Sequence, residues 1–386
     1  MSHFPPFTEE HHQLREMVKD WASREIAPHS YDWDKAGKWP AREIYKQMAE
    51  LGLLGIRFPE AQGGLGLDWW ATAAYVEGMA HAHNAGVVMS ILVQTDMATP
   101  IIAEIGTEEQ KEEFLRPAIA GDYIAALGVT EPNCGSDVAN IQTTAKKDGG
   151  DYIINGAKTF ITNGATADFI TLAVRTGDQG HGGISLVLFP TDTPGFSVGR
   201  KLDKLGTRSV DTCELAFDNC RIPQRNLLGD ENAGFIYVMT NFQGERLVAA
   251  ITAINGMEMA LADAIKYGTE RTAFGRPIGK FQVWRHKFAE HLSSVAAAKA
   301  LTYMAIQAIN HADNATATKI ISQAKLVAGD LAQQVTYDCQ QFHGGYGFIE
   351  EYPISRAYRD VRLITIGGGT SEVMKEIIWK YHEMGL

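Results

Sequence analysis

The sequence has little cysteine and no excess of positive charge. Its four cysteines in 386 residues (Cys134, Cys213, Cys220 and Cys339) contain no C-x-x-C pair. Neither a disulfide framework nor a cysteine zinc site is therefore expected, and the low number fits a reducing compartment. The 35 Lys and Arg against 46 Asp and Glu give a formal charge of −11, which argues against nucleic acid or an anionic membrane as the main partner.

Long apolar runs and several general motifs are also missing. The longest apolar run, AGVVMSILV at 85–93, is about half as long as a membrane span, so no transmembrane segment is expected. There is no G-x-x-x-x-G-K-[ST], G-x-S-x-G or H-E-x-x-H motif. The first residues, MSHFPPFTEEHH, lack the basic start and apolar run of a signal peptide. We expect a bacterial cytoplasmic protein, or a mitochondrial matrix protein if the source is eukaryotic.

Hydrophobic periodicity divides the chain into three blocks. Residues 8 to about 122 show helical spacing, as in Leu14, Met17 and Val18. Short β-branched and aromatic runs follow, with the pairs Asn155-Gly156 and Asn163-Gly164 predicted as hairpin turns. Long helical patterns then return. The pattern predicts an α+β protein with an N-terminal helical domain (1–123), a middle antiparallel β-domain (124–231) and a C-terminal helical domain (232–386), whose long helices favour a bundle.

Two stretches of the middle block are suited to a ligand. In LGVTEPNCGSDVA (127–139), backbone donors around Thr130 and Ser136 can cradle a polar ligand edge or a pyrophosphate, or the segment is a capped loop between a helix and a strand. In KTFITNG (158–164), Phe160 and Thr162 share one face of a strand. That face suits a flat heteroaromatic ring, or it is ordinary hairpin packing.

Two stretches of the last block have similar alternatives. In RTAFGRPIGKFQ (271–282), Arg271 can clamp a phosphate or cap a long helix. In QFHGGYGFIEEYPISRAYRDVRLITIGGGTSE (341–372), two glycine clusters flank a helical segment. These glycines indicate either close approach of the backbone to a ligand or a simple turn between helices.

Together these stretches carry a family resemblance. TEPNCGSD, ITNG, R-x-A-F-G-[RK]-P and GG-Y-G…YP…RD…GT-[SN]-E, in this order, resemble the acyl-CoA dehydrogenases over essentially the whole chain. The resemblance implies an FAD enzyme that oxidises an acyl-CoA thioester to trans-2-enoyl-CoA and passes electrons to electron-transferring flavoprotein. It also implies a C-terminal four-helix bundle and a homotetramer built as a dimer of dimers.

The resemblance also assigns the ligand-binding residues. The flavin is expected to contact Leu127, Val129, Thr130, Ser136, Phe160 and Thr162, with Ser136 also near the CoA arm. The adenine dinucleotide part is expected to be held, largely from a neighbouring subunit, by Arg271, Phe274, Gln282, Gln341 and Gly345. Thr370 and Glu372 are expected to contact the FAD of their own subunit.

The catalytic base is not where many family members place it. The position just before G-T-[SN]-E is Gly368, which cannot remove a proton, although its N–H can still donate to the thioester oxygen. A branch resembling the isovaleryl-CoA and long-chain enzymes supplies the base from the first long helix of the C-terminal domain, where this chain has Glu245. Val238 and Phe242 lie on the same, largely apolar, helix face. The alternative is a surface glutamate that pairs with Arg246, a residue otherwise expected to orient the base or the substrate's phosphorylated arm.

The substrate is expected to be a branched or a medium to long acyl-CoA, since glycine at 368 leaves room beside the reacting carbons. The stretches KLDKLGTRS and VQTDMATP also resemble enzymes that act on citronellyl-CoA. Thr95, Asp96 and Trp284 are candidates for closing the acyl pocket. Two other functions stay open: a non-catalytic flavoprotein or acyl-CoA-binding relative that has lost its base, and an acyl-CoA oxidase.

Overall fold

The first part of the chain is helical. The computed structural model describes residues 4–385. Its first eight α-helices precede the sheet and are α1 (Glu9–Glu25), α2 (Ser30–Ala36), α3 (Ala41–Glu50), α4 (Trp69–Met79), α5 (Ala85–Leu92), α6 (Pro100–Ile105), α7 (Glu108–Gln110) and α8 (Arg116–Ile119).

A π-helical segment joins α5 to α6 over Val93–Ala98, and all six of its residues are buried. Gln94 fixes its position, because its amide donates to the carbonyls of Ala118 and Tyr123 while its side-chain oxygen accepts from Ala125 N–H. Hydrophobic periodicity does not reveal this segment. Insertions of this kind are frequent at functional sites.

The middle part is one sheet that wraps around its own apolar residues. Its strands run in the order β6-β7-β3-β2-β4-β5-β8, and β1 pairs with β4. They are β1 (Ala125–Gly128), β2 (Thr144–Asp148), β3 (Asp151–Thr162), β4 (Phe169–Arg175), β5 (Ile184–Pro190), β6 (Phe196–Lys201), β7 (Thr212–Pro223) and β8 (Leu227–Leu228). Most pairs are antiparallel, as predicted, but β4 pairs in parallel with both β1 and β2.

The hairpin turn predicted at Asn155-Gly156 is wrong. Both residues lie inside β3, where the register against β7 shifts between Ile154 and Gly156. A β-carbon on Gly156 would stand 2.6 Å from Cα of Thr143, so the glycine permits close packing at a β-bulge. Asn163, by contrast, has a φ of 65° directly after β3 and lies in a turn.

The last part contains four long helices and one short one. They are α9 (Gly234–Glu270), α10 (Gln282–His311), α11 (Asn314–His343), α12 (Pro353–Asp360) and α13 (Ser371–Glu383), and a two-stranded ribbon of β9 (Thr272–Ala273) and β10 (Arg276–Pro277) follows α9. Helix α11 packs against α9, α10 and α13. This arrangement, with helical, β and helical parts in chain order, agrees with the predicted fold class.

The three parts share buried contacts. One apolar core joins α1, α3, α4 and α5 to α9, α10 and α11, and a second lies between the sheet and helical residues such as Phe114 and Val238. Asp360 accepts from Thr207 N–H at 2.6 Å, and Arg359 pairs with Asp34 at 2.9 Å. These bonds join all three parts at one junction.

Three helical stretches are long and apolar enough to cross a membrane by length and composition: Ala85–Ile105, Gly234–Glu270 and Gln282–His311. The length of the 85–93 run alone was therefore a poor guide, because the helical stretch that begins with it continues through the π segment to Ile105. The absence of a transmembrane segment stays a prediction. In that stretch, 89% of the most apolar window is buried inside the protein.

Candidate active site

Glu245 lies on α9 with an enclosed carboxylate. The residue as a whole is half-buried, but its Oε2 is shielded from solvent and has no hydrogen-bond partner among residues 4–385. Burial raises the pKa of Glu245, and the positive charges of Arg246 and Lys325 oppose that rise. An unpartnered carboxylate in such a place is costly for the fold, so it is a candidate for chemistry.

Gly368 faces this carboxylate. It has a φ of +63°, and a β-carbon built on it would stand 3.2 Å from Oε1 of Glu245 and 3.7 Å from its Cγ. Glu245 therefore approaches the place where a side chain at position 368 would begin. The structure thus brings together the two residues that the sequence analysis linked through the missing base.

Arg246 is buried but does not pair with its neighbour. The residue is 4% exposed, and its Nε has no hydrogen-bond partner among the described residues. It lies beside the same turn, since a β-carbon on Gly369 would be 3.7 Å from that Nε. The ion pairs found within residues 4–385 do not join it to Glu245, so the alternative of a surface glutamate paired with Arg246 is wrong.

The turn at 367–370 leads into α13. Gly369 has a φ of +90°, in the left-handed region that favours glycine, and a β-carbon there would approach Met374 to 2.7 Å. Thr370 caps α13 by accepting from Val373 N–H. Glu372 is exposed in the first turn of the helix, where its own backbone N–H and the Thr370 hydroxyl lower its pKa.

Lys325, which the sequence analysis missed, supports this turn. It is 1% exposed on α11, and its Nζ donates to the carbonyl oxygen of Gly369 in a short hydrogen bond. Burial lowers its pKa to about 8, and the charge of Glu245 opposes that shift. The one signal in the sequence is its spacing, because Lys325 lies four residues from each of the buried Ile321 and Gly329.

The predicted flavin-binding loop is braced by a buried ion pair, which the sequence analysis also missed. Lys158 is fully buried and donates to Glu131 at 2.8 Å and to the carbonyl of Val129 at 2.9 Å. Glu131 also accepts from Thr143 N–H at 2.9 Å. Burial alone would raise the pKa of Glu131, but Lys158 and these donors hold it below its ordinary value.

The other residues predicted at the flavin lie on and beside this brace. Leu127 lies in β1, and Val129 is the first residue after that strand. The carbonyl of Thr130 accepts from Thr159 N–H at 2.9 Å, and Ser136 is exposed. Phe160 is 66% exposed at a φ of +60° in β3, and Thr162 ends that strand half-buried.

An exposed aromatic residue in a left-handed conformation is unfavourable for the isolated chain. The fold alone therefore does not explain the exposure and the backbone conformation of Phe160. Beside the segment 129–136 that follows β1, its exposed ring gives a flat ligand a surface to contact, so the residues present fit an aromatic cofactor.

The five residues predicted at the adenine dinucleotide do not lie at this site of their own chain. Arg271 is 26 residues beyond Glu245 on a continuous helix, a distance of about 39 Å at 1.5 Å per residue. Phe274 there is 95% exposed, and Gln282, Gln341 and Gly345 are exposed as well. The structure thus separates Arg271 from Glu245, and the expectation that these five residues serve a neighbouring subunit stays a prediction.

The three candidates for closing the acyl pocket do not all lie near Glu245 either. Asp96, in the π segment, pairs with Arg57 at 2.9 Å, and the Arg57 guanidinium lies 3.7 Å from the ring centre of Trp69. That ring would be 3.0 Å from a β-carbon on Gly244, the residue before Glu245. Thr95 donates to Asp96 at 2.6 Å. Trp284 instead packs on Phe342 with ring centres 4.8 Å apart, at the far end of α9 and α11.

Three family models cover almost the whole chain. They describe the acyl-CoA dehydrogenase N-terminal domain, which matches residues 8–122, the middle domain, which matches 126–220, and the C-terminal domain, which matches 232–381. The predicted domain limits at 123/124 and 231/232 stay a prediction.

Individual proteins and solved structures agree with these matches. The long-chain specific acyl-CoA dehydrogenase of Sus scrofa mitochondria is 39% identical over 96% of this chain and 86% of its own length. A probable acyl-CoA dehydrogenase from Mycobacterium abscessus is 42% identical, with a TM-score of 0.94 over 97% of this chain and 98% of its own. A chain from the structure described as the electron transferring flavoprotein of Acidaminococcus fermentans is 36% identical, with a TM-score of 0.93 over 97% and 98%.

Proposed function

The chain belongs to the acyl-CoA dehydrogenase family, and from this premise we propose that it converts an acyl-CoA thioester to the trans-2-enoyl-CoA with Glu245 as the catalytic base. The observation that supports this role most directly is the 3.2 Å between Oε1 of Glu245 and the position of a β-carbon on Gly368. A carboxylate from α9 reaches the space that a side chain on the 367–369 turn would otherwise enter.

FAD is the cofactor of this family, and when bound it would supply the acceptor for a hydride from the substrate. Its flavin would be contacted by Leu127, Val129, Thr130, Ser136, Phe160 and Thr162. Thr370 and Glu372 would contact the FAD of their own subunit. The rigid brace of Lys158 and Glu131 would hold the loop in place for that contact.

The chain's own residues govern the proton. The α-carbon gives its proton to the Glu245 carboxylate, the β-carbon gives up a hydride, and a double bond forms between the two carbons. Burial raises the pKa of Glu245, which makes the carboxylate a stronger base than an exposed glutamate. The N–H of Gly368 would donate to the thioester oxygen, where negative charge develops. Ser136 would contact the CoA arm, and Arg246 would orient either the base or the phosphorylated part of that arm.

We infer a branched or a medium to long acyl group as the substrate. The support is the similarity to a long-chain specific enzyme, since the space beside Gly368 is taken up by the Glu245 carboxylate. Electron-transferring flavoprotein is the proposed acceptor, supported by the similarity to the Acidaminococcus chain. The proposed assembly is a homotetramer and the proposed location is the bacterial cytoplasm, or the mitochondrial matrix if the source is eukaryotic.

The test is anaerobic titration with a series of straight and branched acyl-CoAs, following the visible absorbance of the bound flavin. We expect the unchanged protein to bleach and Glu245→Gln to bind acyl-CoA but bleach on the order of 10²–10⁴ times more slowly, the range for loss of a general base. Glu376→Gln is the matched control, because Glu376 is exposed on α13. It should bleach like the unchanged protein.

Each other result has a distinct meaning. Equal bleaching by Glu245→Gln and the unchanged protein would show that another group is the base. No bleaching of the unchanged protein with any chain would favour the non-catalytic relative. Oxygen consumption during turnover without another acceptor would favour an acyl-CoA oxidase.

A further inference from the structure

Lys325 is a buried ammonium group with no role yet in the chemistry. It lies on α11 with 1% of its surface exposed, and the hydrogen bond that the structure gives it runs to a neutral acceptor, the carbonyl oxygen of Gly369. Burying a charge that is not fully compensated is costly. An ordinary packing role would be filled better by an apolar side chain, so the charge itself needs an explanation.

The hydrogen bond from Lys325 reaches the glycine turn that faces Glu245. Gly369 is the second of two consecutive glycines with positive φ, +63° at Gly368 and +90° at Gly369. Helix α11 holds the same segment at a second point, where Ser371 donates to Asp330 at 2.9 Å. Together the two bonds attach the 367–371 segment to α11, and the first lies one residue from the glycine that faces Glu245.

The charges around Glu245 come from two helices. Arg246 follows it on α9, and Lys325 on α11 binds the Gly369 carbonyl, one residue from the glycine that faces Glu245. Both positive charges oppose the rise in the pKa of Glu245. Lys325 in turn is influenced by Asp330 on its own helix and by Glu372 on α13. Glu245 itself has an Oε2 with no hydrogen-bond partner among residues 4–385, so these charges act on it through space rather than through a bond.

We propose that Lys325 is a positioning residue for the reaction: its ammonium group holds the glycine turn against Glu245 through the Gly369 carbonyl and supplies a positive charge that favours the ionised base. The proposal rests on the proposed function, because it requires Glu245 to be the base. It adds to that function a role for α11, which through Lys325 influences the pH at which the base is ionised.

The sign of the effect follows from electrostatics. A nearby positive charge favours the carboxylate over the carboxylic acid, so removing it raises the pKa of Glu245. The base works only when ionised, so the acid side of the rate profile then moves to higher pH. Because burial lowers the pKa of Lys325 to about 8, its charge is present around neutral pH.

The test compares Lys325→Met and Lys325→Arg in the FAD-loaded protein. The first readout is the pH dependence of flavin bleaching in a single turnover. The second does not depend on activity: infrared titration, without substrate, of the protonated carboxyl band that disappears in Glu245→Gln. We expect Lys325→Met to shift both titrations upward by about one unit, a tenfold loss of rate at a pH below the shift. Lys325→Arg should restore most of the loss.

Two further variants separate the charge from the attachment and from folding. Ser371→Ala removes the other bond to α11 without changing a charge, so it should leave both titrations where they are. Lys325→Gln keeps a donor of similar length without the charge, and it should shift both titrations if Lys325→Met does not fold.

A purely structural role predicts another pattern. If folded Lys325→Met or Lys325→Gln slows bleaching equally at every pH and leaves the infrared titration in place, the proposal is overturned. If Glu245→Gln bleaches like the unchanged protein, the assignment of the base fails first. The two failures are therefore distinguishable.

Discussion

At the scale of single residues, Gly368 makes the sharpest prediction. Alanine there adds a β-carbon 3.2 Å from Oε1 of Glu245, tighter than ordinary contact, at a φ of +63°. The left-handed conformation costs about 1–2 kcal/mol for a residue with a side chain. We expect Gly368→Ala to lower the melting temperature and to slow flavin bleaching on the order of 10²-fold, since displacement of a catalytic group by about 1 Å has an effect of that size.

Gly367 offers the matched control for this substitution. It belongs to the same turn, but its φ is not in the left-handed region, and a β-carbon would meet Leu363 at an ordinary 3.4 Å. Gly367→Ala should change both quantities much less. Equal effects of the two substitutions would mean that the turn responds to any added side chain and that the contact with Glu245 has no special part.

Single residues also show which parts of the site could be predicted from the sequence and which could not. The partnership of Glu245 and Gly368 could be anticipated, because a missing carboxylate in one place directs attention to another on an apolar helix face. Lys325, Lys158 and Glu131 could not, because a buried charge and a surface charge look alike in a sequence. Only the packing of other elements around them determines which of the two they are.

At the scale of elements, the buried pair of Lys158 in β3 and Glu131 in the loop that follows β1 predicts how firmly the cofactor is held. Removing one partner of a buried pair leaves the other unpaired and costs about 3–5 kcal/mol. We expect Lys158→Met to loosen the loop at Val129 and Thr130, to lower the melting temperature and to raise the dissociation constant for FAD, measured by flavin fluorescence after dilution.

The neighbouring strand supplies the control. Lys147 in β2 pairs with Glu231 at 2.8 Å, but 54% of its side chain is exposed, and exposed pairs contribute little. Lys147→Met should leave FAD binding unchanged. If Lys158→Met binds FAD as tightly as Lys147→Met does, the pair stabilises the sheet without positioning the loop.

Helices and strands could be predicted where one hydrophobic periodicity continues over many residues. The helical, β and helical parts follow from spacing alone, and the long α9, α10 and α11 are its plainest cases. The prediction failed at Gly156, which the dipeptide Asn-Gly assigned to a turn and the sheet uses for a bulge beside Thr143. It also missed the π segment at Val93–Ala98, because one extra residue per turn hardly alters an apolar pattern.

At the scale of the whole molecule, the length of α9 predicts that a complete cofactor site needs more than one chain. Arg271 lies about 39 Å from Glu245 along the helix, so one chain cannot bring both residues to one point on a bound cofactor. Phe274, Gln282, Gln341 and Gly345 share the exposed end of the molecule with Arg271. If these residues hold the adenine part of a neighbour's FAD, each complete site combines two chains.

Mixed oligomers test this prediction directly. Arg271→Ala alone should lose FAD affinity, and Glu245→Gln alone should bind acyl-CoA but bleach far more slowly than the unchanged protein. In an oligomer that contains both chains, one kind of site combines the intact Glu245 of the first chain with the intact Arg271 of the second. Co-expression of the two differently tagged chains, followed by purification through both tags, should therefore yield protein that bleaches with acyl-CoA. If doubly tagged oligomers form and stay as inactive as their parents, each site belongs to a single chain, and the exposed residues at the end of α9 have another purpose.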